Sequence, residues 1–278
     1  MKLKEKNIVL EEQNHIIDSA HKKIRASITY AERIQQAILP QAERVKVMLP
    51  KSFVLLKPRD VVSGDFYWCS VVRDTQGNQK VIFATADCTG HGVPGAFMSM
   101  IGANLLTQIV NDKRMYDPGL ILDLLHGGVK HLLQQDKNKN RDGMDISISS
   151  VDWNTKTLEY AGAKRPLYYV QDGEMKEVKG DVYPVGGLHR GIKRRFTTKK
   201  VSFAESPIMA YTFSDGYPDQ FGGVKGKKLY LKGFEKLLQD IQHLPMKEQE
   251  QSMDSFIEKW RGDNSQVDDV LVLGIKIL

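Results

Sequence analysis

Apolar residues recur at every seventh position through the first forty residues: Leu3, Leu10, Ile17, Ile24, Ala31 and Ile38. Asn14, His21, Ile28 and Gln35 stand at the intervening four-residue step, and neither Gly nor Pro interrupts before Pro40. A strict seven-residue repeat predicts one helix over residues 1–40 that winds into a left-handed coiled coil. Polar seam residues such as Asn14, His21 and Gln35 weaken a coil but fix its register and partner number. The expectation is a parallel homodimer through this helix; the alternative is a single amphipathic helix packed on the domain that follows. A coil that begins at residue 1 also points to an upstream sensor in a longer parent protein.

From about residue 45 the pattern shortens. Runs rich in β-branched and aromatic residues predict strands over 52–57, 66–72, 80–86, 146–151, 158–163, 166–171, 208–213 and 269–277. Turn signals such as Gln76-Gly77-Asn78 and Asp172-Gly173 separate them. Helical periodicity appears after Pro94-Gly95 (Phe97, Ile101, Leu105, Ile109), over Leu120 to Leu133, and over about 231–261 (Phe234, Leu237, Leu238; Met253, Phe256, Ile257, Trp260). Strands, a helix pair, strands, a helix pair and a last strand do not alternate strictly. That order predicts antiparallel sheets packed face to face with helices outside, an α+β domain spanning 45–278.

At 278 residues, 41% hydrophobic and 27% charged, the chain is ordinary globular material. Its net charge of +6 is partly concentrated in HRGIKRRFTTKK (189–200), which holds six Lys or Arg. We read this stretch as a solvated loop or charge-blunted edge strand. A dock for an acidic partner is the sharper reading, and no nucleic-acid motif accompanies it. Cys69 and Cys88 lack zinc-ligand spacing and sit in apolar contexts, so buried free thiols are expected. No signal peptide and no apolar run long enough to cross a membrane are evident, which suggests a cytoplasmic protein.

Four short aspartate motifs carry the chemistry: VSGDFYW (62–68), ATADCTGHG (84–92), FSDGYPDQFGG (213–223) and SQVDDVLVLGI (265–275). Each places an aspartate where a strand-like run meets a turn. Carboxylates brought together at strand ends repel by about 4 kcal/mol per pair at about 4 Å for an effective dielectric near 20. Hard divalent cations with oxygen ligands are the natural counter-charge. Two such ions can hold phosphate oxygens and activate a shared water for in-line attack on phosphorus, with no phosphoenzyme and no nucleophilic Cys or Ser.

Taken together, in this order and with GHG, DQFGG and a terminal Asp-Asp before a strand, the motifs resemble the type-2C (PPM) serine/threonine phosphatases, most closely the SpoIIE-type bacterial branch. The resemblance covers about 45–278, and SITYAERIQQAILP (27–40) resembles the signalling helix that precedes such domains. It implies a four-layer α-β-β-α sandwich holding two Mn²⁺ or Mg²⁺ ions. Asp87 would bridge both ions, with the Cys88 carbonyl completing one. Asp65 would serve the first ion and Asp215 the second, together with Asp268 or its neighbour Asp269. Asp145 would touch a third, weaker ion. His91 would protonate the leaving group or hold a water, or else simply shape its loop. Arg59 is a candidate for substrate phosphate. Lys164 and Arg165 would bind substrate or face solvent, and we favour solvent. Gly64, Gly90, Gly92 and Gly216 would allow tight turns. Of Tyr67 and Trp68, one is expected in the core and the other at a cleft or surface. The implied substrate is a phosphorylated anti-sigma-factor antagonist (a STAS-domain protein) or a similar regulator. Two other readings compete: a catalytically silent interaction module, and a structural calcium sensor. The loops lack the dense D-x-D-x-D spacing that the second would need.

Overall fold

The computed structural model describes residues 2–74, 77–187 and 194–278. In chain order its elements are α1 (Lys2–Ile38), α2 (Ala42–Met48), β1 (Ser52–Lys57), β2 (Phe66–Arg73), β3 (Gln79–Cys88), α3 (Gly92–Thr107), α4 (Pro118–Leu132), β4 (Gly143–Asp152), β5 (Thr157–Ala163), β6 (Leu167–Gln171) and β7 (Glu174–Val178). There follow β8 (Val185–Gly186), β9 (Lys199–Ser202), β10 (Ile208–Phe213), α5 (Gly216–Asp219), β11 (Phe221–Gly222), β12 (Lys227–Lys228), α6 (Tyr230–Ile241), α7 (Met246–Arg261) and β13 (Val270–Ile277).

Two antiparallel sheets carry the fold, in strand orders β1-β13-β10-β6-β7 and β2-β3-β4-β5-β9. Side chains alternate across each strand, so each sheet has two buried faces. Tyr67, Phe83, Leu158, Tyr160, Ala210, Leu271 and Leu273 meet between the sheets. Phe66, Trp68, Ala86 and Ile146 face α3 and α4. Phe213, Tyr211 and Val272 face α6 and α7, where Phe234 and Met253 close the outer core. The result is the four-layer α-β-β-α sandwich expected from the motifs. It corrects one expectation: Tyr67 and Trp68 are both buried, one on each face, because their sheet has no open side.

The α3 stripe also needs correcting. Phe97, placed on the apolar face by its spacing, is 59% exposed. The helix instead packs through Gly95, Ala96, Ser99, Gly102 and Ala103. A Cβ on Gly102 would lie 2.7 Å from the Phe66 ring, so the close approach to β2 requires glycine. Its apolar length matters too: Gly92–Asp112, α3 with the π-turn that continues it, is long and apolar enough to span a membrane, contrary to the sequence reading. More than half of that apolar window is buried within the domain, as befits a core helix.

α1 is exposed at Leu10, Ile17 and Ile24 and turns Ile28, Ala31 and Gln35 towards the domain. The domain thus uses the helix over Ile28 to Gln35, whereas the stripe is left bare further up and again at Ile38. Of the basic stretch 189–200, residues 189–193 lie outside the described residues. Arg194 is buried and donates to the carbonyls of Pro184 and Gly186, and Lys199 and Lys200 begin the edge strand β9. Both cysteines are buried free thiols.

Candidate metal centre

Strand register puts the acidic residues side by side. In the β3–β4 ladder Asp87 lies directly opposite Asp145, and in the β2–β3 ladder Phe66 lies opposite Ala86. Asp65, one residue before β2, is therefore level with Asp87. Phe66, Ala86 and Ile146 face the helix layer, so the three aspartates face the other sheet. From that sheet come Asp215, just after β10 and at the start of α5, and Asp268-Asp269, just before β13. Close packing joins these two arms: a Cβ on Gly216 would lie 1.9 Å from the Asp269 carbonyl oxygen. The structure therefore brings Asp65, Asp87, Asp145, Asp215, Asp268 and Asp269 to one edge of the sandwich.

Their roles differ. Asp269 is buried and accepts the backbone N–H groups of Arg59 and Gly64, each at 2.7 Å, one on each carboxylate oxygen. It buckles the 59–64 loop that delivers Asp65. Asp268 is partly exposed, and its Oδ1 accepts the Asp269 N–H. Asp65 is 3% exposed and its Oδ2 has no hydrogen-bond partner. His91 stands at the rim, its Nδ1 2.8 Å from Asp60 Oδ2. The Arg59 side chain is exposed and donates to the Val267 carbonyl. Cys88 continues β3 with its thiol buried; burial, then the nearby carboxylates, push that thiol well up, so it is no thiolate nucleophile.

Sequence reasoning missed two residues here. Arg165, expected at the surface, is 11% exposed and lies among the carboxylates. Its Nη2 is 2.5 Å from Asp87 Oδ2, 2.8 Å from Asp215 Oδ2 and 3.5 Å from Asp145 Oδ2. Lys164 Nζ lies 3.5 Å from Asp145. The other is Gln35 of α1. Its Oε1 accepts the Ser63 N–H and its Nε2 donates to the Ser63 carbonyl and the Ser99 hydroxyl. A polar residue on an otherwise apolar stripe was the available signal for it.

The donor set is oxygen-rich and anionic, which suits Mg²⁺ or Mn²⁺. The buried Asp65 Oδ2, which accepts no hydrogen bond, is free to ligate a cation. Among the described residues no three acidic, His or Cys side chains stand close enough to share one ion, and Arg165 lies between three of the aspartates. Burial, then Asp87, pushes the Asp65 carboxyl far up. Burial also pushes Asp87 up to about 8, although Arg165 opposes it. At Asp215 burial again pushes upward, but Arg165 outweighs it and holds that carboxyl below its usual range.

A pH dependence follows. A carboxyl with a raised folded pKa binds its proton more tightly folded than unfolded, so its contribution is present at low pH and lost as pH rises. For Asp87 the window runs from about 4 to about 8. In chelator, Asp87→Asn is expected to melt increasingly above wild type from pH 5 to pH 8, and Mn²⁺ should close that gap by restoring wild type alone. Melting curves at several pH values check it; a constant difference would contradict it.

The model of the stage II sporulation protein E (SpoIIE) family matches residues 77–278. The chain belongs to this family. Its members are serine/threonine phosphatases of the PP2C type, and this chain is one of them. The SiaA-PP2C domain of Pseudomonas aeruginosa is similar at 31% identity and TM-score 0.81, covering 93% of this chain and 99% of that one. The PP2C phosphatase domain of SpoIIE from Bacillus subtilis, with a fragment of its regulatory domain, matches at 14% identity and TM-score 0.64, covering 82% and 63%. RsbX, solved in complex with magnesium, matches at 14% and 0.53, covering 82% and 94%. Those last two share the fold. No curated protein sequence matches the chain.

Proposed function

We propose that this phosphatase hydrolyses phosphoserine or phosphothreonine on a partner regulator, using two divalent metal ions. The observation that carries the reading is the meeting of Asp65, Asp87 and Asp145 from one sheet with Asp215 and Asp268 from the other. Asp87 would hold both ions, Asp65 and the Cys88 carbonyl the first, and Asp215 and Asp268 the second. Asp145 would hold a third. When bound, Mn²⁺ or Mg²⁺ supplies Lewis-acid polarisation of the phosphate and activation of water.

The chain's own residues do the rest. Asp269 fixes the Asp65 loop through two backbone amides. The buried, protonated thiols leave water as the nucleophile. His91 is the candidate acid for the departing alkoxide, held by Asp60 at the rim. Arg59 flanks the same rim and is the candidate to receive a phosphate oxygen. A cleft of about 620 Å³, lined by Lys164, Pro166, Pro218, Tyr230 and Lys232, opens beside Asp215 and gives a protein substrate room to approach. The test is hydrolysis of a phosphoserine peptide with Mn²⁺. Turnover lost in chelator is the expected result, and turnover unaffected by chelator would overturn the reading.

The substrate that fits the family is a STAS-domain anti-sigma-factor antagonist or a related phosphoprotein, acting in the cytoplasm. The bare Leu10, Ile17 and Ile24 stripe supports a homodimer through α1. Gln35 gives that helix a grip on the metal-binding loop, since it pairs with both backbone groups of Ser63, two residues from Asp65. Gln35→Ala leaves those groups unpaired, at about 2–3 kcal/mol. Loss of this support should weaken Mn²⁺ binding by about 10–100-fold. Calorimetry of the variant checks it; unchanged affinity would disconnect α1 from the site.

A further inference from the structure

Arg165 reaches the carboxylates from a rigid platform. The residue before it, Lys164, has a left-handed backbone (φ 61°), a conformation that side-chain-bearing residues adopt at a cost. The Lys164 N–H donates to the Asp181 carbonyl, and the Arg165 carbonyl accepts the hydroxyl of the fully buried Tyr160. Pro166 follows and restricts the backbone further. Together these restraints aim one long cationic side chain at Asp87 and Asp215.

The aim is not that of a structural ion pair. One nitrogen, Nη2, serves Asp87 and Asp215 together, while the buried Nε has no hydrogen-bond partner. A guanidinium placed for stability uses its fork in paired bonds. Here a single N–H-bearing atom lies between two carboxylates from different sheets, the place a small cation bridging them would take. A metal ion and a guanidinium cannot both hold the same two oxygens, and at that range they repel.

We propose that Arg165 is a tethered internal competitor of the metal ions: it neutralises Asp87 and Asp215 and must swing away before metal can reach them. This rests on the metal-dependent reading above and adds to it a residue that sets metal affinity. The side chain has room to leave, because the cleft lined by Lys164, Pro166, Asp215 and Tyr230 opens beside it.

The test is Mn²⁺ binding by calorimetry to the full chain and to Arg165→Gln, with Lys164→Gln as a neighbour control. Arg165→Gln should bind Mn²⁺ about tenfold more tightly, in line with the removal of a charge-assisted contact; Lys164→Gln should bind within about twofold of wild type, because among the described residues its half-exposed ammonium pairs with Asp145 alone, at 3.5 Å. Equal or weaker binding by Arg165→Gln overturns the proposal while leaving the metal reading intact. Failure of every protein to bind Mn²⁺ overturns both. The wild type supplies a second measurement that does not depend on the variant folding. The Arg165 side-chain Nε–H resonance, followed through a Mg²⁺ titration, should shift in step with binding. A resonance that stays in place while metal binds would show that the guanidinium does not move, and the proposal would be wrong.

Discussion

Asp87→Asn should reduce Mn²⁺-dependent hydrolysis of a phosphoserine peptide by on the order of a thousandfold, the scale on which positioned transition-state charge acts. Asp87 stands next to last in β3, lies opposite Asp145 and meets Asp215 through Arg165, so it links the two sheets. Asparagine keeps the shape and loses the charge. Chelator should then lower wild-type activity to the level of the variant and leave the variant nearly unchanged. The fold should survive, since the substitution relieves a carboxyl that burial already disfavours as an anion. Unaltered turnover in a folded variant would remove Asp87 from the centre of the mechanism.

The adjacent pair Asp268 and Asp269 should split cleanly between function and stability. Asp269→Asn replaces one accepting oxygen by an amide NH₂, which then meets a backbone N–H, either of Arg59 or of Gly64. A charge-assisted bond is lost and a buried donor is left unsatisfied, together about 3–5 kcal/mol. Asp268→Asn keeps an oxygen for the Asp269 N–H, so its stability should stay within about 0.5 kcal/mol of wild type. Its Mn²⁺ affinity should nevertheless fall by on the order of a hundredfold, as for a lost ligand or its close support. Denaturant unfolding and calorimetry on the two variants check both halves. The reverse pattern would make Asp269 the ligand.

Much of this architecture was legible in the chain. Strands buried on both faces are dense in Val, Ile, Phe and Tyr, and all eight predicted runs are strands. One aspartate beside a glycine turn is ordinary turn chemistry; the motifs stood out because four of them recur at strand ends in this order. What escaped was short or small. α2, β8 and β9 are too brief for periodicity to declare them, and the edge strand β7 reads EMKEV, too charged to look like a strand. The buried face of α3 is made of Gly, Ala and Ser, which weigh little in any hydropathy pattern, so the larger Phe97 misled. Arg165 follows a strand end as a charged turn residue, and such residues usually face water. Its direction is set by Tyr160, Asp181 and the Lys164 backbone, which are tertiary facts. Gln35 showed as a polar break in a seam, and its reason lies in Ser63, far along the chain.

The position of β13 bears on how the protein is born. This strand is inserted between β1 and β10 and brings Asp268 and Asp269 with it. Synthesis proceeds at about 5–20 residues per second, and the earlier strands emerge well before it. A nascent chain still lacking β13 leaves the β1 and β10 edges open and the Arg59–Gly64 loop unbuckled. Such a chain would need shelter from edge-to-edge association, and it would be unable to strip phosphate from its target. Activity is therefore withheld until translation has passed the last strand.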